Sequence, residues 1–77
     1  MRDVQPPIEN EQQLAGYHAG LERFNVIVAS READQFASQH DPQRLEGARH
    51  ALYRVYRKRQ GIIDAIEAYE RRQRQTA

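Results

Sequence analysis

LEGARHALYRVYRKRQGIIDAIEAY, residues 45–69, sets apolar side chains at Leu45, Ala48, Leu52, Val55, Ile62, Ile66 and Tyr69. The steps alternate between three and four residues, and the one position of the beat that carries a charge is Arg59. In a helix such steps hold a narrow apolar stripe on one side, the pattern of a helix that packs along another helix. Working upstream, Ser38-Gln39-His40-Asp41-Pro42 is the clearest punctuation in the chain. Asp41 is a strong N-cap, and Pro42 stands at the first helical position, where a missing N–H costs nothing. The second helix is therefore expected over about 42–75, roughly 50 Å at 1.5 Å per residue. Arg71, Arg72 and Arg74 lie in its last turns, where positive charge suits the carbonyl end of the macrodipole.

Before the turn, Asn10 is a good N-cap with Gln13 three residues on, as in a capping box. Leu14, Tyr17, Leu21, Phe24 and Val28 follow at helical spacing, so the first helix is expected over about 10–38. Ala29, Ala33 and Phe36 carry its stripe around the cylinder and allow a break near Ser30. Residues 1–9 read as an extended lead-in, because the Pro6–Pro7 pair forbids a helix through them. No strand-like alternation, internal repeat or low-complexity segment interrupts residues 10–77.

A short connection makes the helices antiparallel neighbours. With the turn near residue 40, positions whose numbers sum to about 80 should lie side by side. Leu14 then meets Ile66, Tyr17 meets Ile62 and Ile63, Phe24 meets Val55, Val28 meets Leu52, and Phe36 meets Leu45. Arg59 falls beside Leu21 and Glu22, and an ion pair with Glu22 would satisfy it. The fold class is all-α, a long antiparallel helical hairpin.

Seventy-seven residues make one small domain, and a chain of this size hides only about 60% of the surface its unfolded form exposes. No cysteine is present to add a disulfide or a thiolate metal site. The remaining remedy is burial against another chain, so the hairpin is expected to assemble as a dimer in a four-helix bundle or to bind a partner. No apolar run approaches the roughly 18 residues of a membrane span, and the start lacks a signal peptide's pattern. The expected location is the cytoplasm, in a bacterium or a host cell. Residues 1–41 hold three arginines against seven acids, while residues 42–77 hold eight arginines and Lys58 against four. The two helices thus carry opposite charge, which suits their pairing.

Tyr53-Arg54-Val55-Tyr56-Arg57-Lys58-Arg59 is the most suggestive local run, and on a helix Arg54, Arg57 and Lys58 are expected to share a face and grip a backbone together. Cations interleaved with aromatic rings are what a nucleic-acid surface uses, cations on phosphates and rings on bases. The same charges could simply answer the acids of the first helix and solvate a face, or could meet an acidic protein surface. Val26 and Tyr53 lie off the seam at the same height, and Ile27, Tyr56 and Ile63 widen the stripe there. This surplus reads either as scattered exposed hydrophobes or as a contact patch with Tyr and Arg anchors. Gly16, Gly20, Gly47 and Gly61 interrupt the helices and invite a reading of close backbone approach or of plain tolerance.

Chemistry is lacking. His18, His40 and His50 are dispersed, and Glu46 with His50 lacks the Glu-x-x-His spacing of a carboxylate-bridged metal bundle. There is no phosphate-cradling glycine loop and no nucleophile with a partner. The expectation is no enzyme, no metal and no cofactor.

Ile8-Glu9-Asn10-Glu11-Gln12-Gln13 opening one helix, with Ile63-Asp64-Ala65-Ile66-Glu67-Ala68-Tyr69-Glu70 late in the other, resembles the helical hairpin of Xre-class antitoxin and phage-type regulators. The likeness covers about fifteen positions at the hairpin's ends. In that class the hairpin accompanies a helix-turn-helix DNA reader, which residues 1–77 leave no room for. The resemblance therefore implies the pairing role: self-association or capture of a protein partner. The small, all-helical, cysteine-free make-up also looks like that of phage-encoded inhibitors. The expected function is a non-enzymatic interaction module that binds and occludes a macromolecular partner through Tyr53, Arg54, Tyr56, Arg57, Lys58 and Val26. The alternative is nucleic-acid binding by the basic second helix.

Overall fold

Asn10 starts the first helix as its position requires: its side-chain oxygen accepts the Gln13 N–H at 2.9 Å. Gln13 Oε1 in turn accepts the Glu9 N–H at 2.8 Å. Helix α1 runs Glu11–Ala37 and α2 runs Pro42–Thr76 in the computed structural model, which describes residues 3–76. Met1 and Arg2, at the head of the expected lead-in, and Ala77, the last residue of the expected hairpin, lie outside the described residues. Asp41 caps α2 as expected, its Oδ1 accepting the Arg44 N–H at 3.3 Å and its carbonyl the Leu45 N–H at 2.8 Å. No strand occurs among the described residues.

Helix α1 continues without a break through Ser30, which corrects the allowance made there. The stripe does not need a break to stay on the seam. Val28 is buried and Gln35 and Ser38 are half-buried, while Ala29, Ala33 and Phe36 are left facing solvent. Ser38 closes the helix by donating its N–H to the carbonyls of Asp34 and Gln35.

The expected register is observed. The Tyr69 hydroxyl donates to Glu11 Oε1 at 3.1 Å. Phe24 and Val55 line one trough, Phe36 and Leu45 another. Arg59 departs from expectation: it donates to Asn25 Oδ1 at 3.4 Å instead of pairing with Glu22, and its guanidinium lies 5.2 Å from the Tyr56 ring centre. The half-buried guanidinium thus extends along the seam toward an amide and a ring. The opposite charges of the two helices do not need direct pairing to coexist.

The core is built from Ile8, Ile62, Ile66 and Tyr69, with Leu14, Tyr17, Leu21, Phe24 and Ala65 packed against it. Ile8 is its most buried member, 1% exposed, and comes from the segment expected to be a lead-in. Residues 3–9 form no helix or strand, and they make a strap bound to both helices. Tyr17 donates its hydroxyl to the Pro6 carbonyl at 2.8 Å, and Arg72 Nη2 donates to the Ile8 carbonyl at 2.6 Å. Arg57 Nη2 pairs with Asp3 Oδ1 at 3.0 Å. The strap crosses α2 at Gly61, where a Cβ would overlap the Asp3 carbonyl oxygen. Gly61 therefore reflects close approach, by the strap and not by a helix. Gly16 and Gly47 have nothing within 4 Å of such a Cβ.

This core occupies only the open end of the hairpin. Toward the turn, Val28 and Leu52 are the buried residues. The molecule is a flat rod of 53 × 21 × 16 Å with a radius of gyration of 15.6 Å, against about 11.5 Å for a compact domain of this length. Its accessible surface of 5876 Å² exceeds by roughly 1,000 Å² what a folded monomer of this mass exposes.

Burial raises the Tyr69 pKa above the ordinary 10.0, with the Glu11 carboxylate adding to the shift and Arg72 opposing it. The Tyr56 pKa is raised in the same way, by desolvation first and then by Glu32. A raised folded-state value means that the neutral phenol stabilises the fold fully below the unfolded pKa. That contribution is lost as pH rises through the folded value. The melting temperature is expected to stay level toward pH 10 and to fall above it, as followed by circular dichroism. In Tyr69→Phe the fall should be shallower, because one of the two phenols whose pKa is raised is gone.

Candidate partner-binding surface

Successive residues of a helix advance by about 100°, so the seven residues from Tyr53 to Arg59 circle α2 almost twice. With Leu52 and Val55 on the seam, Arg54 and Lys58 fall on one flank of the flat hairpin. Tyr56 falls on the other, and Tyr53 and Arg57 point outward from α2. The expected residues therefore divide among three directions.

On the first flank Arg54 and Lys58, one turn apart and both exposed, line a shallow trough of about 330 Å³ with Phe24, Ile27, Arg31, Ala51 and Val55. Neither cation has an acidic partner among the described residues. Arg31 pairs within α1 with Asp34 at 3.7 Å, and an exposed pair of that kind contributes little and yields easily to a stronger anion. Toward the turn the flank continues past Ala51, Ala48 and Gly47 to Arg44. Small side chains keep it low, so the cations stand above a nearly flat apolar floor.

The other expected residues have other positions. Arg57 is half-buried beneath the strap in its pair with Asp3, 5.8 Å from the Tyr53 ring centre. It holds the strap, with its guanidinium committed to Asp3. Its Nε is buried without a hydrogen-bond partner, as happens when a guanidinium is turned to serve one carboxylate. Tyr53 is 52% exposed on the outer side of α2. Val26 is 71% exposed, and two residues from the seam position Val28 it stands about 200° around α1. Val26 and Tyr53 share a height but face away from each other. Tyr56 sits on the second flank, beside Glu32, Phe36, Leu45 and Arg49 around a trough of about 350 Å³. Ile27, expected to widen the stripe beside Tyr56, lies on the opposite flank.

Sequence reading missed Arg31 and the floor residues Phe24 and Ala51. The signal was present: Ile27 and Arg31 are four apart on α1, Arg54 and Lys58 are four apart on α2, and the register sets the pairs at one level. Glu46 and His50 approach to 3.9 Å on the exposed side of α2. No group of three or more His, Asp or Glu side chains placed to hold a metal occurs among the described residues. Among the same residues, no helix is long and apolar enough to cross a membrane. The chain matches no protein-family model, no curated protein and no solved structure.

Proposed function

We propose that this hairpin is a non-enzymatic protein–protein interaction module. It binds an acidic, partly apolar surface of a macromolecular partner along the Arg54–Lys58 flank, occluding that surface, and it pairs with a second copy in a helical bundle. The observation that carries this reading is the placement of two cations, without acidic partners among the described residues, above an apolar floor of Phe24, Ile27, Ala51 and Val55. An apolar floor ringed by charge fits an amphipathic helix with acidic edges: the floor takes its apolar side and the rim sets its orientation. Its role is that of a small antitoxin-like regulator or inhibitor acting in the cytosol, in keeping with the resemblance of its ends to the Xre-class hairpin.

Direct binding of nucleic acid would draw on the same two cations. The interleaved rings do not support it, because Tyr53 and Tyr56 leave the flank where the cations stand and form no stacking platform beside them. Salt separates the two readings. A labelled acidic amphipathic peptide is expected to bind with a shallow salt dependence, and a DNA duplex of equal charge is not expected to bind at low salt. A duplex affinity that falls steeply with log salt would reverse the order of the readings.

Arg54→Glu with Lys58→Glu should weaken peptide capture by about 100-fold or more, the scale of losing two central anchors. Helicity should not change, since both side chains are exposed. Arg57→Glu should leave capture within a few-fold of wild type and instead loosen the strap. Equal loss of capture from both changes would show that the flank is not the docking face.

A further inference from the structure

We infer that the second flank, around Phe36 and the Glu32–Arg49 pair of charges, is the surface on which two copies of this chain meet, turn half against turn half. The inference rests on the reading of the chain as a self-pairing module and names the face, the symmetry and the contacts.

The strap completes the core at the open end of the hairpin, and among the described residues no comparable layer covers the turn end. Apart from Val4, the large hydrophobics exposed among the described residues are Val26, Ile27, Phe36, Tyr53 and Tyr56, all in the turn half. Phe36 is the most exposed of these, 72%, and stands at the rim of a trough floored by Leu45 and Leu52. Each copy therefore carries both a projecting ring and a hollow.

The charges on this flank are of both signs. Glu32 and Arg49 line the same trough, close to one level along the rod. A two-fold axis lying between the two flanks and running parallel to the rods sets α1 of each copy over α2 of the other, with Glu32 of each copy facing Arg49 of the other. The same axis sets Phe36 over Leu45 of the other copy, the residue at its own level along the rod. An isologous contact needs a patch complementary to itself, and this patch is. The first flank is not: Arg54, Lys58 and Arg31 would face the same three cations of the other copy, and like charges would repel. Charge alone thus assigns the second copy to the second flank.

Area agrees. The turn half of the rod, half of 53 Å by 21 Å, projects roughly 550 Å² per copy before side-chain relief is added, close to the ~600 Å² each partner gives to the smallest stable interfaces. The assembly is a four-helix bundle over the turn halves, with the two hairpins pointing the same way and both strap ends at one end. Its length would stay near the 53 Å of one rod, in the closed arrangement that a two-fold contact allows.

The test is sizing of the whole chain in solution by light scattering, combined with small-angle X-ray scattering. The wild type is expected to be a dimer at micromolar concentration with a maximum dimension close to that of a single rod. Phe36→Asp should weaken self-association by about tenfold or more, the mark of a lost anchor. Because Phe36 is mostly exposed, that variant should keep the helicity and melting behaviour of the monomer. Glu32→Arg should also weaken the dimer, and Glu32→Arg with Arg49→Glu should restore it. A monomeric wild type at millimolar concentration would overturn the proposal. So would a dimer indifferent to Phe36→Asp, or a charge swap that fails to restore pairing. If the wild type instead stays monomeric and this flank captures a different protein, the second copy is not its occupant. None of these results touches the Arg54–Lys58 flank, whose own test reads peptide capture.

Discussion

Ile8→Ala is expected to lower the free energy of unfolding by about 2–5 kcal/mol, the cost of a large-to-small change at a well-packed site. For a chain of this length, total stability at 0.05–0.15 kcal/mol per residue is only about 4–12 kcal/mol. One side chain near the N-terminus would then hold a large share of the stability. The reason is its position. Ile8 lies in the cluster with Ile62, Ile66 and Tyr69, and Leu14 at the start of α1 packs against the same cluster. A strap residue could in principle escape the penalty by lifting off, but its neighbours prevent an inexpensive release. The Asn10 cap fixes the chain two residues later, Arg72 holds the Ile8 carbonyl, and Tyr17 holds the Pro6 carbonyl. The side chain is lost while the backbone is still held, so a cavity remains. Urea unfolding of Ile8→Ala beside Val4→Ala measures this. Val4 is 94% exposed on the same strap, and its change should fall within about 0.5 kcal/mol. Equal midpoints for the two variants would remove the strap from the core.

Why Ile8 escaped sequence reading follows from what a sequence can signal. The α1 and α2 stripes are periodic, and each position is supported by its neighbours three and four residues away. Matching the two stripes at one register then gave Phe24 against Val55 and Phe36 against Leu45. Asn10, Asp41 and Pro42 announce themselves by local chemistry within four residues. Ile8 has neither kind of support. It is a single apolar residue in a polar, proline-bearing segment, and its partners in α2 are more than fifty residues away. Gly61 showed half of its meaning: a glycine inside a helix implies a cost, but the sequence does not say what approaches it. The candidate surface was legible to a similar degree. Composition drew attention to the run from Tyr53 to Arg59, yet neighbours in a helix diverge around it, and only the four-residue pair Arg54 and Lys58 stays together. Arg57 looked equivalent to them because its partner Asp3 lies in the strap.

The same alanine substitution at two glycines of α2 should have opposite effects. In a helix interior, glycine to alanine favours folding by up to about 1 kcal/mol, because alanine loses less backbone freedom. Gly47 has open space where the added methyl would point, with no atom within 4 Å. Gly47→Ala should therefore raise the melting temperature by about 4–8 °C, the range that 1 kcal/mol produces in a domain of this size. At Gly61 the propensity gain is the same, but the methyl would enter the space of the Asp3 carbonyl, a backbone group, with the Gln5 side chain 3.4 Å away. Backbone cannot rotate aside as a flexible side chain can, so the strap has to lift. Lifting it separates Asp3 from Arg57, whose Nε is already unpartnered, and leaves a half-buried guanidinium without its carboxylate. It also pulls on Ile8, five residues along the same segment. The packing lost there outweighs a gain of about 1 kcal/mol, so Gly61→Ala should melt below wild type while Gly47→Ala melts above it. Hydrogen exchange locates the cause: in Gly61→Ala the strap amides should exchange faster and those of mid-α2 should not. A melting temperature raised equally at both positions would mean that the strap does not rest on α2, and the close approach at Gly61 would lose its structural role.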